Sequence, residues 1–246
     1  MHAIILAAGV GKRLQHERAA PKCLLEFAGR SLLSRHLDNL AALGVGQVTI
    51  CVGYEADQIA RAVNGRPAPR ILLQHNPLYT LGSSVSLWAV RQSLTCGDDI
   101  LLMDADVLYH RDILARLVAS PARNCFLLDR DFIPGDEPVK ICLREGRVVE
   151  FRKRLAPDLG YDALGESVGF FKFDAATALV LARLLAAYVA DGRREQPHEE
   201  ALRDLALAAP ACIGIEDVSG LPWIEIDFPA DIVRATKDIL PGLDEH

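Results

Sequence analysis

The sequence predicts an α/β fold: a mixed, mainly parallel sheet flanked by helices, with a small β-rich part late in the chain. Three observations predict it. Short β-rich runs alternate with helical periodicity through the first two-thirds of the chain, which is the pattern of βαβ units. The first run, His2–Ala7, is apolar almost throughout, as a strand covered on both faces must be. After residue 120 the alternation lapses and strand-like runs follow one another.

The elements follow in order. His2–Ala7 opens the sheet and runs into Gly9. Ser31–Leu43 carries Leu32, Leu33, Leu37, Leu40 and Leu43 at helical spacing, with Ser31 placed to cap it and Gly44 to stop it. Gln47–Val52 reads as a strand, Ala56–Val63 as a helix and Arg70–Leu73 as a strand. Ser84–Leu94 is a helix, Ile100–Met103 a buried strand and His110–Val118 a helix. Asn124–Leu128, Val139–Leu143 and Arg147–Phe151 are β-like, with Arg144-Glu145-Gly146 turning between the last two. Val168–Phe173 is a strand, followed by helices at Ala175–Ala190 and His198–Ala208. Trp223–Ile226 is strand-like, and Pro229–Leu240 closes as a helix with proline in its first turn. No linker, repeat or low-complexity segment divides the chain, so residues 1–246 read as one Rossmann-like domain. Its later strands extend the sheet or form a lid over its carboxyl edge.

Composition excludes several classes. The 246 residues are half hydrophobic, enough for a sizeable core. With 27 Lys and Arg against 33 Asp and Glu, the net charge of −6 argues against coating nucleic acid. No apolar run approaches the ~20 residues that span a bilayer, so membrane insertion is not expected. The first apolar stretch has no basic region ahead of it and leads into a glycine loop, which argues against a signal peptide and for a cytoplasmic location. Cys23, Cys51, Cys96, Cys125, Cys142 and Cys212 lie at wide, irregular spacing, without a CxxC pair or a histidine cluster at zinc-ligand spacing. They read as free thiols in a reducing compartment rather than a structural metal site. Cys23 has no histidine nearby to activate it.

The strongest local signal is Leu6-Ala7-Ala8-Gly9-Val10-Gly11-Lys12-Arg13-Leu14, followed by Pro21-Lys22. A strand, a glycine turn and then basic residues lay backbone N–H groups and cations along phosphates. A dinucleotide fingerprint needs a third glycine where Leu14 stands, and a P-loop needs Ser or Thr where Arg13 stands. Farther on, the strand Ile100–Met103 runs into Asp104-Ala105-Asp106, and Trp223-Ile224-Glu225-Ile226 runs into Asp227. Carboxylates beyond strand ends in an open sheet stand where ligands bind. They suit magnesium, a hard ion that takes one or two carboxylates plus substrate phosphates. Asp104 could equally cap a loop or helix, and capping the Pro229 helix is the lesser alternative for Asp227.

With LAAGxGxRL and the Pro-Lys pair, the chain resembles the nucleotidyltransferases of the nucleotide-sugar pyrophosphorylase type. The GESVGFFKF stretch, the HEEAL helix and the WIEIDFPADIVRA ending are similar to the small cytidylyltransferases that activate phosphocholine, other phosphoalcohols, inositol phosphate or phosphonates. The resemblance implies an NTP-binding half, 1–120, and an acceptor-binding half, 121–246. It implies that Leu6, Ala7, Ala8, Gly9, Gly11, Asn76, Gly82, Ser83 and Asp104 bind the nucleotide. Asp106 and Asp227 would hold Mg2+, with Asp227 rather than Glu225 completing the site. Arg13, Lys22 and Lys153 would be catalytic cations. Lys140, Lys153, Glu166, Gly169 and Glu199 would line the acceptor site. The implied reaction joins CTP, or another NTP, to a small phosphorylated or phosphonate acceptor and releases pyrophosphate. A sugar-1-phosphate nucleotidyltransferase using UTP, GTP or dTTP and a non-catalytic nucleotide-binding regulator are the alternatives; a homodimer is compatible with each. Leu81-Gly82-Ser83 stands where many phosphocholine enzymes carry a Thr-Asn pair, which argues against phosphocholine itself.

Overall fold

The structure is a computed structural model that describes residues 1–14 and 20–243. The elements of the first half are β1 (His2–Ala7), β2 (Glu26–Phe27), β3 (Arg30–Ser31), α1 (Leu32–Ala42), β4 (Gln47–Val52), α2 (Ala56–Val63), β5 (Arg70–His75), α3 (Ser83–Ala89), α4 (Arg91–Leu94), β6 (Ile100–Asp104), β7 (Val107–Tyr109) and α5 (Arg111–Ala119). The second half adds β8 (Cys125–Asp129), β9 (Lys140–Arg144), β10 (Arg147–Arg152), β11 (Ala163–Phe173), α6 (Ala175–Ala190), α7 (His198–Ala208), β12 (Gly214–Asp217), β13 (Trp223–Glu225) and α8 (Pro229–Arg234). Among the described residues one sheet runs β10-β9-β11-β6-β1-β4-β5, with β8 against β11 and β12 against β8. β1 is parallel to β4 and β6, and β4 to β5, whereas β11 is antiparallel to β6, β8 and β9.

β1 sits between two parallel neighbours, so Ala3, Ile4 and Ile5 have no exposed surface. Helices α1, α2 and α5 cover one face of the sheet, and α3, α4, α6 and α7 the other. Two cores result, because the strand period of two sends alternate residues of β1 into each. α1 begins where the Ser31 hydroxyl accepts from Ser34 N at 3.1 Å. It ends at Gly44, whose φ of +75° lets its N–H reach back to Ala41 O. A third, smaller cluster joins Leu14, Leu25 and Phe27 to Leu108, Ile224 and Ile226. It packs Leu14, Leu25 and Phe27 against the two-stranded β7–β13 ladder.

Several elements differ from the sequence reading. The helix expected over 84–94 is two helices broken at Val90, where φ −97° and ψ 15° leave the helical region. The closing helix is regular only to Arg234; a wide turn over Ala235–Ile239 and a tight one over Leu240–Gly242 follow. Pro241 lacks the N–H that would continue the ladder. The strand expected from Val168 begins at Ala163 and changes partners near Gly169, whose φ is +81°. β13 pairs with β7 rather than with the main sheet. β7 and β12 are too short, and too dependent on their partners, to show as periodic runs.

Candidate active site

The chain after β1 forms the floor of a cavity of about 260 Å3, lined by Leu6, Ala7, Ala8, Gly9 and Gly11 and walled by Lys22, Tyr79, Ser83, Asp104 and Asp106. Gly11 has φ +63°, and a Cβ there would lie 3.0 Å from Cγ of Lys22. Backbone conformation and the passage of the lysine stem both require glycine. Lys22 starts a single 3-10 turn after Pro21, and its Nζ lies 3.0 Å from Asp106 Oδ2 and 2.5 Å from Asp227 Oδ1. Burial opposes the charge, but the two carboxylates outweigh it and hold the ammonium above the ordinary lysine range. Arg13 is more exposed and reaches Asp227 Oδ2 at 3.0 Å and Glu137 Oε2 at 3.1 Å. Burial, with Asp106 adding to it, pushes the Cys23 thiol up to about 12, so it is no nucleophile at neutral pH.

β6 delivers Asp104 at its last position, with Asp106 just beyond, and β13 delivers Glu225 and then Asp227. Ile226 N donates to Asp106 O at 2.9 Å and joins the two segments. Oxygens of Asp106, Glu225 and Asp227 lie within 4.8 Å of one another. The sequence reading left Glu225 out, yet strand alternation puts it on the face of Asp227, and the structure brings both to Asp106. Asp227 does not cap α8. Asp231 does, its Oδ2 accepting from Asp227 N at 3.0 Å and Phe228 N at 2.7 Å. Partial burial, then Glu199, Asp106 and Asp227, raise Asp104 well above the usual carboxylate range. Desolvation acts the same way on Asp227, but Lys22 outweighs it and holds that group below its ordinary value. Three hard oxygen donors, with the Lys22 ammonium already standing as a cation between two of them, fit a divalent ion such as Mg2+. His2, Cys96 and Asp98 also converge at the opposite end of β1, a grouping that cysteine spacing alone did not show.

The cavity continues into an opening of about 300 Å3 lined by Gly9, Gly11, Lys12, Arg13, Lys22 and Asp227. On the other side lies a cleft of about 390 Å3, lined by Asp129, Glu137, Glu166, Trp223, Glu225 and Asp227 among others. Glu225 faces both the cavity and the cleft, and Asp227 both the cleft and the opening. The carboxylate group is therefore a partition between two binding spaces. Glu166 is pushed up to about 7 by partial burial and then by Asp129. Trp223 Nε1 donates to Asp129 Oδ2 at 2.7 Å and holds that carboxylate in place.

Other expected residues take different places. Asn76 is buried and fully engaged: Nδ2 donates to Ser86 Oγ at 3.0 Å and Oδ1 accepts from Leu78 N at 2.9 Å. It shapes the loop instead of facing the cavity. Ser83 lines the cavity, but Gly82 does not. Its N–H donates to Arg194 O at 3.0 Å, and a Cβ there would run into the Gln196 carbonyl. Lys140 Nζ donates to Gly135 O at 2.6 Å, Pro138 O at 3.3 Å and Lys153 O at 2.6 Å, which engages all three of its hydrogens. Lys153 meets Glu137 Oε2 at 3.3 Å. Gly169 lies against Asp104, where a Cβ would come 2.5 Å from Oδ2, rather than in the acceptor cleft. Glu199 lines the nucleotide-side cavity, not the cleft. The sequence reading missed Tyr79, which packs on Gly53. It also gave no role to Glu137, Asp129 or His198. The α7 start that carries His198 was singled out only for its acidic pair.

The bifunctional IPC transferase and DIPP synthase of Rubrobacter xylanophilus is 29% identical over 98% of this chain and 52% of its own length. The CMP-5'-(3-aminopropyl)phosphonate synthase of Streptomyces rubellomurinus is 27% identical over 100% of this chain and 40% of its own length. The chain thus spans about half, or less, of these curated relatives. The solved inositol-1-phosphate CTP transferase from T. maritima has the same fold, with a TM-score of 0.77 at 20% identity over 99% of this chain and 96% of that one. Residues 3–160 match the MobA-like NTP transferase domain. That stretch carries the glycine loop, Lys22 and both β6 carboxylates, and the chain belongs to the MobA-like NTP transferase family.

Proposed function

We propose that the chain is a magnesium-dependent cytidylyltransferase that joins CTP to a small phosphorylated or phosphonate acceptor and releases pyrophosphate. The observation that supports this most is the partition: Asp106, Glu225 and Asp227, with Lys22 among them, separate a nucleotide-sized cavity from an acidic cleft. A nucleoside triphosphate over Gly9 and Gly11 would present its α-phosphorus at the partition, where an acceptor oxygen from the cleft can attack in line. Arg13 stands where the triphosphate tail would leave the cavity. Lys153, at the rim of the acceptor side, would hold the acceptor phosphate as a point charge. The attacking oxygen is already ionised at neutral pH, so the chain need supply no general base. Asp106, Glu225 and Asp227 would hold Mg2+, which when bound neutralises charge on the phosphates. Cytidine is favoured by the CMP and CTP in the names of two similar proteins.

The cleft also bears on the acceptor. Among the described residues Asp129 and Glu166 face it in no ion pair, with Arg234 on the same lining and Lys140 and Lys153 acting on Glu166 from farther off. An acceptor with an amine at the end opposite its phosphate or phosphonate answers that charge; a neutral polyol does not. Pyrophosphate release, with and without magnesium, tests the reading. Four NTPs should be paired with 2-aminoethylphosphonate, phosphocholine, inositol 1-phosphate and sugar 1-phosphates. CTP with an amine-bearing acceptor is the expected pair. Absence of pyrophosphate from every pair would overturn the assignment.

A further inference from the structure

The nucleotide cavity contains a polar group that the reaction above does not use. His198 opens α7 with its side chain only 4% exposed, and its Nε2 is buried without a hydrogen-bond partner among the described residues. Such an atom is costly to bury unless something meets it. It lies on the cavity wall with Ser83 and Asp104. The distance from Nε2 to Asp104 Oδ1 is 3.7 Å, too long for a hydrogen bond.

The other edge of the ring is fixed. Ser83 Oγ accepts from His198 N at 2.8 Å and lies 3.0 Å from Nδ1. Ser83 therefore engages the Nδ1 edge of the ring, and Nε2 is the ring nitrogen left to meet a ligand. Glu199 Oε2 also lies 3.1 Å from Nδ1. Asp104 is held from behind, its carboxylate lying on the bare Cα of Gly169. The wall therefore presents an unpartnered ring nitrogen beside a carboxyl group.

Their place along the cavity identifies the ligand group. Ser83, Asp104 and Asp106 all line the cavity; in the nucleotidyltransferase reading Ser83 stands at its base end and Asp106 at its phosphate end. A nucleotide lying between them sets its sugar against Asp104 and His198. A phosphate is disfavoured there by Asp104 and Glu199, whereas adjacent hydroxyls both donate and accept.

We propose that His198 and Asp104 form a ribose-reading pair: Nε2 hydrogen-bonds one hydroxyl of the ribose diol and the Asp104 side chain hydrogen-bonds the other. The pair selects ribonucleotides over nucleotides that lack the diol. This rests on the nucleotidyltransferase reading, because that reading puts the nucleoside in this cavity.

The test is equilibrium binding of CTP and 2',3'-dideoxy-CTP, with magnesium and without acceptor, by calorimetry. Wild type should prefer CTP by roughly 100-fold. His198→Ala should cut that ratio by about tenfold, chiefly by weakening CTP. His198→Gln, whose amide keeps a donor, should recover part of it. If histidine merely props the Ser83 loop, the variants weaken both ligands alike and the ratio stays at the wild-type value, which overturns the pair. A wild type that binds both nucleotides equally overturns the pair alone; one that binds neither overturns the nucleotide reading as well. Should His198→Ala fail to fold, Asp104→Asn takes its place and should lower the ratio by a similar factor.

Discussion

Lowering the pH from 7.5 to 5 should cost the protein about 2 kcal/mol of stability through His36 alone. This residue of α1 is fully buried; it stacks on Tyr109 with ring centroids 5.3 Å apart and meets the edge of Phe170 at 5.8 Å. Its Nε2 lies 3.2 Å from Ala105 O, the peptide between Asp104 and Asp106. Burial pushes its pKa down from 6.5 to about 4, against the opposing effect of that carbonyl. The folded value is the lower one, so the unfolded chain takes up the proton first. The contribution is intact above pH 6.5 and is lost as pH falls towards 4. At about 1.36 kcal/mol per pH unit, the gap sets a ceiling near 3 kcal/mol, of which about 2 is reached by pH 5. Urea unfolding at the two pH values measures it. Other groups titrate in the same window, so the deciding quantity is the difference from His36→Phe, which keeps an aromatic ring against Tyr109 and Phe170. That variant should be less stable at pH 7.5 by about 1 kcal/mol, for the lost bond to Ala105. It should then lose about 2 kcal/mol less than wild type on acidification. Equal losses in the two proteins would refute the argument.

Asp106→Ala should lower the rate of pyrophosphate release by at least about 100-fold while leaving the cooperative unfolding transition in place; wild-type turnover would remove Asp106 from the metal group. Gly82→Ala should cost about 1–3 kcal/mol, because the new methyl meets backbone at Glu195 and Gln196 rather than a side chain that can swing away. Thermal melting reads this, and an unchanged midpoint would mean that the 194–198 segment yields easily. Glu166, with a pKa near 7, is neutral in mildly acidic solution and charged above it. The KM for an amine-bearing acceptor should therefore fall as pH rises through about 7, and Glu166→Gln should flatten that profile. A wild-type KM that does not move across this range would exclude a Glu166–amine contact.

What was legible in the sequence was local. β1, β4, α1 and α6 stand within a residue or two of their expected bounds, because a period of two or 3.6 and a cap or glycine stop are written within a dozen residues. The glycine loop was legible for the same reason: Gly9, Gly11 and Lys22 sit within one short segment. The rest depends on residues far apart in the chain. Lys22 and Asp227 are separated by 205 positions and Ser83 and His198 by 115. Only the β7–β13 ladder sets Glu225 beside Asp106, and only the 194–198 segment occupies the N–H groups of Gly82, expected at the nucleotide, and of Ser84. Lys140 shows the limit from the other side. A lysine on a hairpin strand looks like an anion site in sequence, and three backbone carbonyls claim it in the fold.

The cations of the site divide by how easily each can leave its carboxylate. Arg13 and Lys153 share Glu137, in pairs whose side chains are roughly half exposed. Such pairs contribute about 0–1 kcal/mol, so an incoming phosphate displaces Glu137 at little cost; Lys153 then passes to substrate, whereas Arg13 keeps a second pair with Asp227 Oδ2 at 3.0 Å. Lys22 is different. Its side chain is 16% exposed and it lies between two carboxylates that are themselves largely buried. Removing one partner from a buried group of this kind costs about 3–5 kcal/mol. A phosphate would have to draw the ammonium away from both carboxylates and leave them facing each other across the partition. In the absence of a divalent ion, Lys22 therefore serves first as the counter-charge that holds Asp106 and Asp227 together. Lys22→Met should damage stability as well as turnover, whereas Arg13→Met should damage turnover alone.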